Sequence, residues 1–159
     1  MGFQVGIGYD IHRRTTGRPL VLGGVTIKSD WGLEGHSDAD VLLHAIGDAL
    51  LGAAALGDLG THFPSGDPRW KGASSLELLR LIRALLAGKG ATIVNVDATV
   101  IAEAPKIAPL REAMCLNIAQ ALRLGPGQVS VKATTHETLG ALGRGEGLAA
   151  MAIAMVEVS

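Results

Sequence analysis

The sequence predicts an α+β fold, a two-layer arrangement in which a mixed sheet carries its helices on one face. Three observations lead there. Segments rich in β-branched residues open and close the chain, two long Ala/Leu-rich segments follow one another in the first half, and the predicted order is strand, strand, helix, helix, strand, helix, strand, strand rather than a regular βαβ repeat. At 159 residues the chain is expected to form a single domain over residues 1–159, long enough to bury roughly 70% of its unfolded surface without a disulfide framework.

Phe3 to Ile11 interleaves apolar residues with glycine and reads as a strand. Pro19 to Ile27 is a second extended run bent at Gly23-Gly24, consistent with a hairpin. Trp31 to Asp38 is a loop. Asp38 to Leu56 has helical composition, with Ser37-x-x-Asp40 as its start and Gly57 as its stop. Gly60 to Gly72, with its prolines and glycines, is expected to be a mobile functional loop. Ser74-x-x-Glu77 has the form of a capping box opening a helix to Gly88, with Leu78, Leu79, Ile82, Leu85 and Leu86 as its apolar face. Ala91 to Ala102 alternates as a strand, Pro109 suits the first turn of a third helix ending near Gly125, and strands follow at Gln128 to Thr134 and Leu148 to Val158.

Composition narrows the function. Fourteen basic and 15 acidic residues, with no run of Lys or Arg, argue against a nucleic-acid or anionic-membrane partner. No stretch approaches the roughly 18 uninterrupted apolar residues of a membrane span. A single Cys115 and no signal-like N-terminal pattern point to a reducing, cytoplasmic compartment. Charged residues make up 18% of the chain, below the usual value of about 25%, which suits burial of surface in an oligomer.

Four groups of residues carry chemical possibilities. In Gly8-Tyr9-Asp10-Ile11-His12 a period of two puts Asp10 and His12 on one strand face, although two ordinary polar residues at a strand end would look the same. Asp40, His44 and Asp48 form a stripe at i, i+4 and i+8 on an otherwise apolar helix; such groups need water, one another or a cation as partners, unless the stripe faces solvent. Combining Asp10, His12 and His44 gives two imidazoles and a carboxylate, the ligand set of a catalytic zinc site with an open fourth position. In Asp58 to Pro68 the two carboxylates of Asp58 and Asp67 could orient a polyol or cap turns, and His62 has no assignable partner and reads as a surface residue. Thr135 with Glu137 offers a hydroxyl beside a carboxylate suited to a Mg²⁺-bridged phosphate, and Arg144 stands among glycines that would let it approach a phosphate; a strand end and a plain turn are the alternatives. No Walker-type Gly-x-x-x-x-Gly-Lys-Ser/Thr pattern accompanies them.

Together these segments resemble the 2-C-methyl-D-erythritol 2,4-cyclodiphosphate synthase family over almost the whole chain. The resemblance rests on Gly8-Tyr9-Asp10-Ile11-His12, Gly35-His36-Ser37-Asp38-Ala39-Asp40-Val41, Asp48 to Asp58, Asp67-Pro68-Arg69-Trp70-Lys71-Gly72, Ala104-Pro105-Lys106, Val131 to Thr135 and Gly143-Arg144-Gly145-Glu146-Gly147. It implies a homotrimer with active sites between neighbouring subunits. It implies Zn²⁺ on Asp10, His12 and His44, and Mg²⁺ or Mn²⁺ held in part by Glu137. His36 and Thr135 match positions that stabilise the transition state, and Ser37 matches a substrate contact. Asp58, Leu59 and Gly60, with Phe63, Pro64, Ser65, Gly66 and Asp67, match the erythritol-holding region. The cytidine and phosphate pocket matches Ala102, Pro105, Lys106, Ile107 and Ala108 together with Ala133, Thr134 and His136, and Arg144 is retained. The implied substrate is 4-diphosphocytidyl-2-C-methyl-D-erythritol 2-phosphate, whose 2-phosphate attacks the β-phosphorus, closes an eight-membered ring and expels CMP.

Departures from the family pattern are Ser65-Gly66 in place of an Asp-Thr pair, His136 in place of Thr or Asn, and Ala141 in place of an aromatic residue. Two other readings compete. A zinc-dependent phosphate-ester or diphosphate hydrolase would need a general base, for which Asp40 or Asp48 would serve, and a non-enzymatic scaffold would need a fourth protein ligand on its metal.

Overall fold

The computed structural model describes residues 2–159. Its principal sheet has the order β4-β1-β7-β5-β6, where β1 is Gly2–Thr15, β4 Gly32–Leu33, β5 Ala91–Ile101, β6 Val129–Thr134 and β7 Gly147–Val158. The sheet is mixed. β7 lies antiparallel to both β1 and β5, while β6 runs parallel to β5. A separate hairpin joins β2 (Leu20–Leu22) to β3 (Val25–Ile27) through Gly23 and Gly24, both at positive φ (57° and 72°), the conformation a two-residue hairpin turn demands.

Three helices cover the sheet: α1 (Val41–Ala53), α3 (Ser75–Gly88) and α4 (Arg111–Leu122). The long α1 is buried on nearly every side, and its Leu42, Leu43, Ile46, Leu50 and Leu51 join Val96, Val100, Ala150, Ala152, Ala154 and Val156 of the sheet in one core. The opposite sheet face is apolar and uncovered: Phe3, Val5, Ile7, Tyr9 and Ile11 of β1 alternate outward and are 49–66% exposed, with Met151 and Ile153 beside them on β7.

Helix and strand meet at a seam without side chains. On the inward face of β1, Gly6 and Gly8 lie under α1 so closely that a Cβ at Gly8 would sit 1.9 Å from the carbonyl oxygen of Ala45, and one at Gly6 2.0 Å from that of Ala49. Those two glycines continue along the same face into Asp10 and His12. The seam therefore sets the height at which α1 presents His44.

The structure corrects several sequence expectations. Helix α1 starts at Val41 rather than Asp38, because Ala39 takes a left-handed φ of 56° and Asp40 supplies the N-cap, accepting from Leu43 N–H (3.1 Å). It ends at Ala53, where Ala55 turns left-handed at φ 54° and Leu56 N–H bonds back to Leu51. Ser74 makes no side-chain cap to α3; the carboxylate of Asp38 accepts the N–H of Ser75 instead (3.0 Å). Pro109 lies in a 3₁₀ turn (Ala108–Leu110) that precedes α4. The expected loop between Gly60 and Gly72 holds most of a short helix α2 (Leu59–His62) and a 3₁₀ turn (Pro68–Trp70), and the glycine-rich segment before β7 contains α5 (Gly140–Gly143).

Candidate active site

Asp10 and His12, two residues apart on β1, point to the same side as predicted, and α1 brings His44 to them. Asp10 Oδ2 lies 2.8 Å from His12 Nε2 and 3.0 Å from His44 Nδ1, and the two ring nitrogens are 3.2 Å apart. A tetrahedral zinc with bonds of 2.0–2.1 Å separates its donor atoms by roughly 3.4 Å, so this triangle is close to one face of such a tetrahedron. No other group of three His, Cys, Asp or Glu side chains among the described residues is drawn together in this way.

The hydrogen bonding of His12 leaves one ring nitrogen free to meet a cation. His12 Nδ1 donates to the carbonyl oxygen of Glu34 (2.7 Å), which leaves Nε2 with its lone pair toward the cluster. Gly35 permits that pose, since a Cβ there would stand 3.2 Å from the His12 ring. Without a metal ion, protons must separate these lone pairs. Burial lowers the His12 pKa, but the hydrogen bond and charge of Asp10 outweigh it and raise the pKa above the usual 6.5; burial likewise opposes ionisation of Asp10, yet the two histidines hold its carboxyl down at about 2.

The helical stripe divides into three tasks. His44 joins the triad. Asp40, fully buried, caps α1 and accepts Gly23 N–H (3.0 Å) and Gly24 N–H (2.8 Å), pinning the hairpin turn to the helix start. Asp48 accepts Leu59 N–H (2.8 Å) and anchors α2. Burial pushes both carboxyls up, Asp40 to about 6. Each is committed to backbone N–H groups, so neither is a free base for the hydrolase reading.

Above the triad lies a cavity of about 260 Å³ lined by His12, His36, Ser37, His44, Leu59, Gly60, Phe63, Ser65, Trp70 and Leu78. His36 Nε2 donates to the carbonyl of Asp67 (3.1 Å), and Ser37 Oγ is 3.0 Å from His44 Nε2. Phe63 and Trp70 pack edge to face at 4.9 Å. Asp58 caps α2 through Thr61 (2.9 Å to its N–H), and the Asp67 carboxylate binds Arg69 (2.6 Å), so both serve turns at the cavity's edge; Pro64 and Gly66 are exposed beside them. His62 is not partnerless, because its Nε2 donates to Leu56 O (2.7 Å).

The second group of predicted residues lies elsewhere in the chain. Thr134 pairs with Ile101 at the far end of the sheet order, three strand spacings or about 14 Å from β1. Ala133, Thr134, Thr135, His136, Glu137, Lys106 and Ala108 are exposed there, and Pro105 is half-buried. Ala102 and Ile107 are buried (7% and 3% exposed), so the Ile107 side chain belongs to the core rather than to a binding surface. Glu137 is not part of the triad. Its left-handed φ of 51° is held by bonds from its own N–H to Thr135 Oγ (3.0 Å) and from the flanking N–H groups of His136 and Thr138 to Glu103 (3.1 and 2.8 Å). Arg144 is tied to Glu146 (2.7 Å), which lines another cavity, of about 270 Å³, with Ile11, Arg13, Ala141 and Leu142.

Sequence reasoning passed over Trp70, Leu78, Asp38, Ser75 and Glu103. Trp70 was visible inside a matching segment, whereas Leu78 looked like any core leucine of an amphipathic helix.

The profile of the YgbB family matches residues 3–157. The chain belongs to the YgbB family. A curated relative, the 2-C-methyl-D-erythritol 2,4-cyclodiphosphate synthase of Symbiobacterium thermophilum, is 60% identical over 152 residues, 96% of this chain and 97% of that one. Among solved structures, the bifunctional IspDF of Campylobacter jejuni is similar with a TM-score of 0.95 and 41% identity, covering 99% of this chain and 43% of that one. The CDP complex of IspF from Plasmodium falciparum matches with a TM-score of 0.87 and 37% identity over 99% of this chain and 97% of that one. These YgbB relatives share the mixed α+β architecture described above.

Proposed function

We propose that this YgbB chain converts 4-diphosphocytidyl-2-C-methyl-D-erythritol 2-phosphate to 2-C-methyl-D-erythritol 2,4-cyclodiphosphate and CMP. The observation that carries this reading is the Asp10–His12–His44 triangle opening into the His36–Ser37 cavity, in a chain 60% identical to a synthase of that name over nearly its full length. Three protein ligands leave one position open. That count favours a catalytic ion over the four-ligand structural metal that a scaffold would need.

In the reaction an oxygen of the 2-phosphate forms a bond to the β-phosphorus, the bond from that phosphorus to the oxygen of the CMP phosphate breaks, and no proton need move. An anion attacking an anion requires alignment and charge neutralisation more than a protein nucleophile. Zn²⁺ on Asp10, His12 and His44, with Mg²⁺ or Mn²⁺ near Glu137, would supply that neutralisation. Ser37 and His36 border the cavity where the phosphates would lie, and Leu59, Gly60, Phe63 and Ser65 shape the pocket for the methylerythritol carbons.

Thr135, Glu137 and Lys106 complete this site from a neighbouring subunit in a homotrimer. Two observations support the assembly: about 14 Å of sheet separates these residues from the triad within one chain, and the apolar outer face of β1 and β7 is uncovered. The nucleotide-bound Plasmodium falciparum relative supports a cytidine diphosphate ligand.

The test is phosphorus NMR of the protein with the diphosphocytidyl substrate and Mg²⁺, before and after zinc removal. Metal-dependent formation of the coupled cyclic diphosphate together with CMP is expected. Linear phosphate products would instead assign a hydrolase.

A further inference from the structure

Helix α3 begins against the metal-side loop through three backbone-directed bonds: Gly72 N–H to His36 O (2.8 Å), Asp38 N–H to Ala73 O (3.0 Å) and Ser75 N–H to Asp38 Oδ2 (3.0 Å). The side chain of Ser75, only 1% exposed, sits inside this lacing. Its Oγ is 2.5 Å from Asp38 Oδ1 and 3.0 Å from His44 Nε2.

We propose that Asp38 and Ser75 are positioning residues that fix the tautomer of His44. An ionised carboxylate can only accept, so the Ser75 hydroxyl proton is given to Asp38. Ser75 then has only lone pairs to offer His44. Nε2 must carry the ring proton, and Nδ1, on the opposite side of the ring, is left as a lone pair aimed at Asp10 and His12. The carboxylate, hydroxyl and imidazole thus form a chain ending at the ion, with the hydroxyl inserted where a carboxylate or carbonyl more often contacts a ligating histidine directly.

A consequence falls on Ser37, whose Oγ lies the same 3.0 Å from His44 Nε2. Because that nitrogen is a donor, the Ser37 hydroxyl proton is not needed there and is free to point into the cavity. The two serines look equivalent by distance and differ by proton direction.

This inference rests on the reading that Asp10, His12 and His44 hold a metal, and its test separates the two. Nitrogen-15 NMR of the metal-free protein, at a pH where His12 still carries the Nε2 proton that it shares with Asp10 and directs at His44 Nδ1, reports the His44 tautomer with no metal involved. The expected wild-type state is the Nε2–H form. Ser75→Ala and Asp38→Asn should each admit the Nδ1–H form and weaken zinc binding 10- to 100-fold by chelator competition. Ser37→Ala should retain the tautomer and zinc affinity. Circular dichroism of each variant establishes that α3 is retained, and Asp38→Asn keeps the test available if Ser75→Ala does not fold. Retention of the wild-type tautomer in folded Ser75→Ala or Asp38→Asn, or loss of it in Ser37→Ala alone, would overturn the proposal. A wild-type protein that shows the Nε2–H form but takes up no zinc would overturn the metal reading and leave the tautomer assignment standing.

Discussion

His12 and His44 each commit one ring nitrogen to a fixed partner, Glu34 O for the first and a serine hydroxyl for the second, so the other nitrogen is presented as a ligand. Protons and the proposed zinc would therefore compete for the same lone pairs. Because His12 titrates above its ordinary 6.5, a falling pH protonates it early, and zinc affinity is expected to drop about tenfold per pH unit for each proton displaced. Titration with a competing chelator between pH 5 and 8 checks this, with affinity rising toward the alkaline end and levelling only above the His12 pKa; a flat profile would contradict it. The Asp10–His12 pair was legible in the sequence because strand periodicity alone places both on one face. His44 was less so. Its stripe with Asp40 and Asp48 has one spacing but three unrelated duties, and only the three-dimensional partners separate a ligand from a helix cap and a loop anchor. Asp38 stands inside a matching segment, but its pairing with Ser75 gave no signal, since 37 positions separate them.

At the scale of elements, the long helices and strands follow from composition and periodicity, while β4, α2 and α5 are too short for either to register. The missing cap at Ser74 has a related cause: a carboxylate from a distant loop occupies the place that local pattern assigned to the neighbouring serine. The glycine seam is the element most exposed to mutation. Gly8→Ala would drive a methyl group against the Ala45 carbonyl, with no flexible side chain to move aside. We expect a loss of about 3 kcal/mol or more in urea unfolding, together with weakened zinc binding as α1 lifts away from β1. Gly52→Ala is the control, because a Cβ there has nothing nearer than 4.0 Å and should cost far less.

For the whole molecule, low charge content hinted at association, but only the resemblance supplied a trimer. The physical reason is plain: the outward residues of β1 alternate as any half-buried strand would, and no local pattern says what covers them. The proposed division of the site gives a sharp test. His44→Ala and Thr135→Ala should each abolish turnover, the second with zinc still bound. When the two inactive proteins are unfolded together and refolded in equal amounts, random trimers should regain about a quarter of wild-type activity, because each mixed trimer rebuilds one intact site in three. No recovery in properly reassembled mixtures would place both residues in the same subunit's site.

The bare contact between β1 and α1 also bears on which ion the triad accepts. Between the Ala45 carbonyl and Gly8 there is no side-chain torsion to turn, so the gap between strand and helix is set by backbone atoms in contact. A donor triangle mounted on such a joint keeps its backbone supports at a fixed distance, so any adjustment to an ion falls to the side-chain torsions of Asp10, His12 and His44. Its two imidazoles beside one carboxylate disfavour ions that require six oxygen ligands and keep their water, and suit a small ion content with four nitrogen or oxygen donors. Two glycines that never approach the triad thus set the distance between the strand and the helix that carry it.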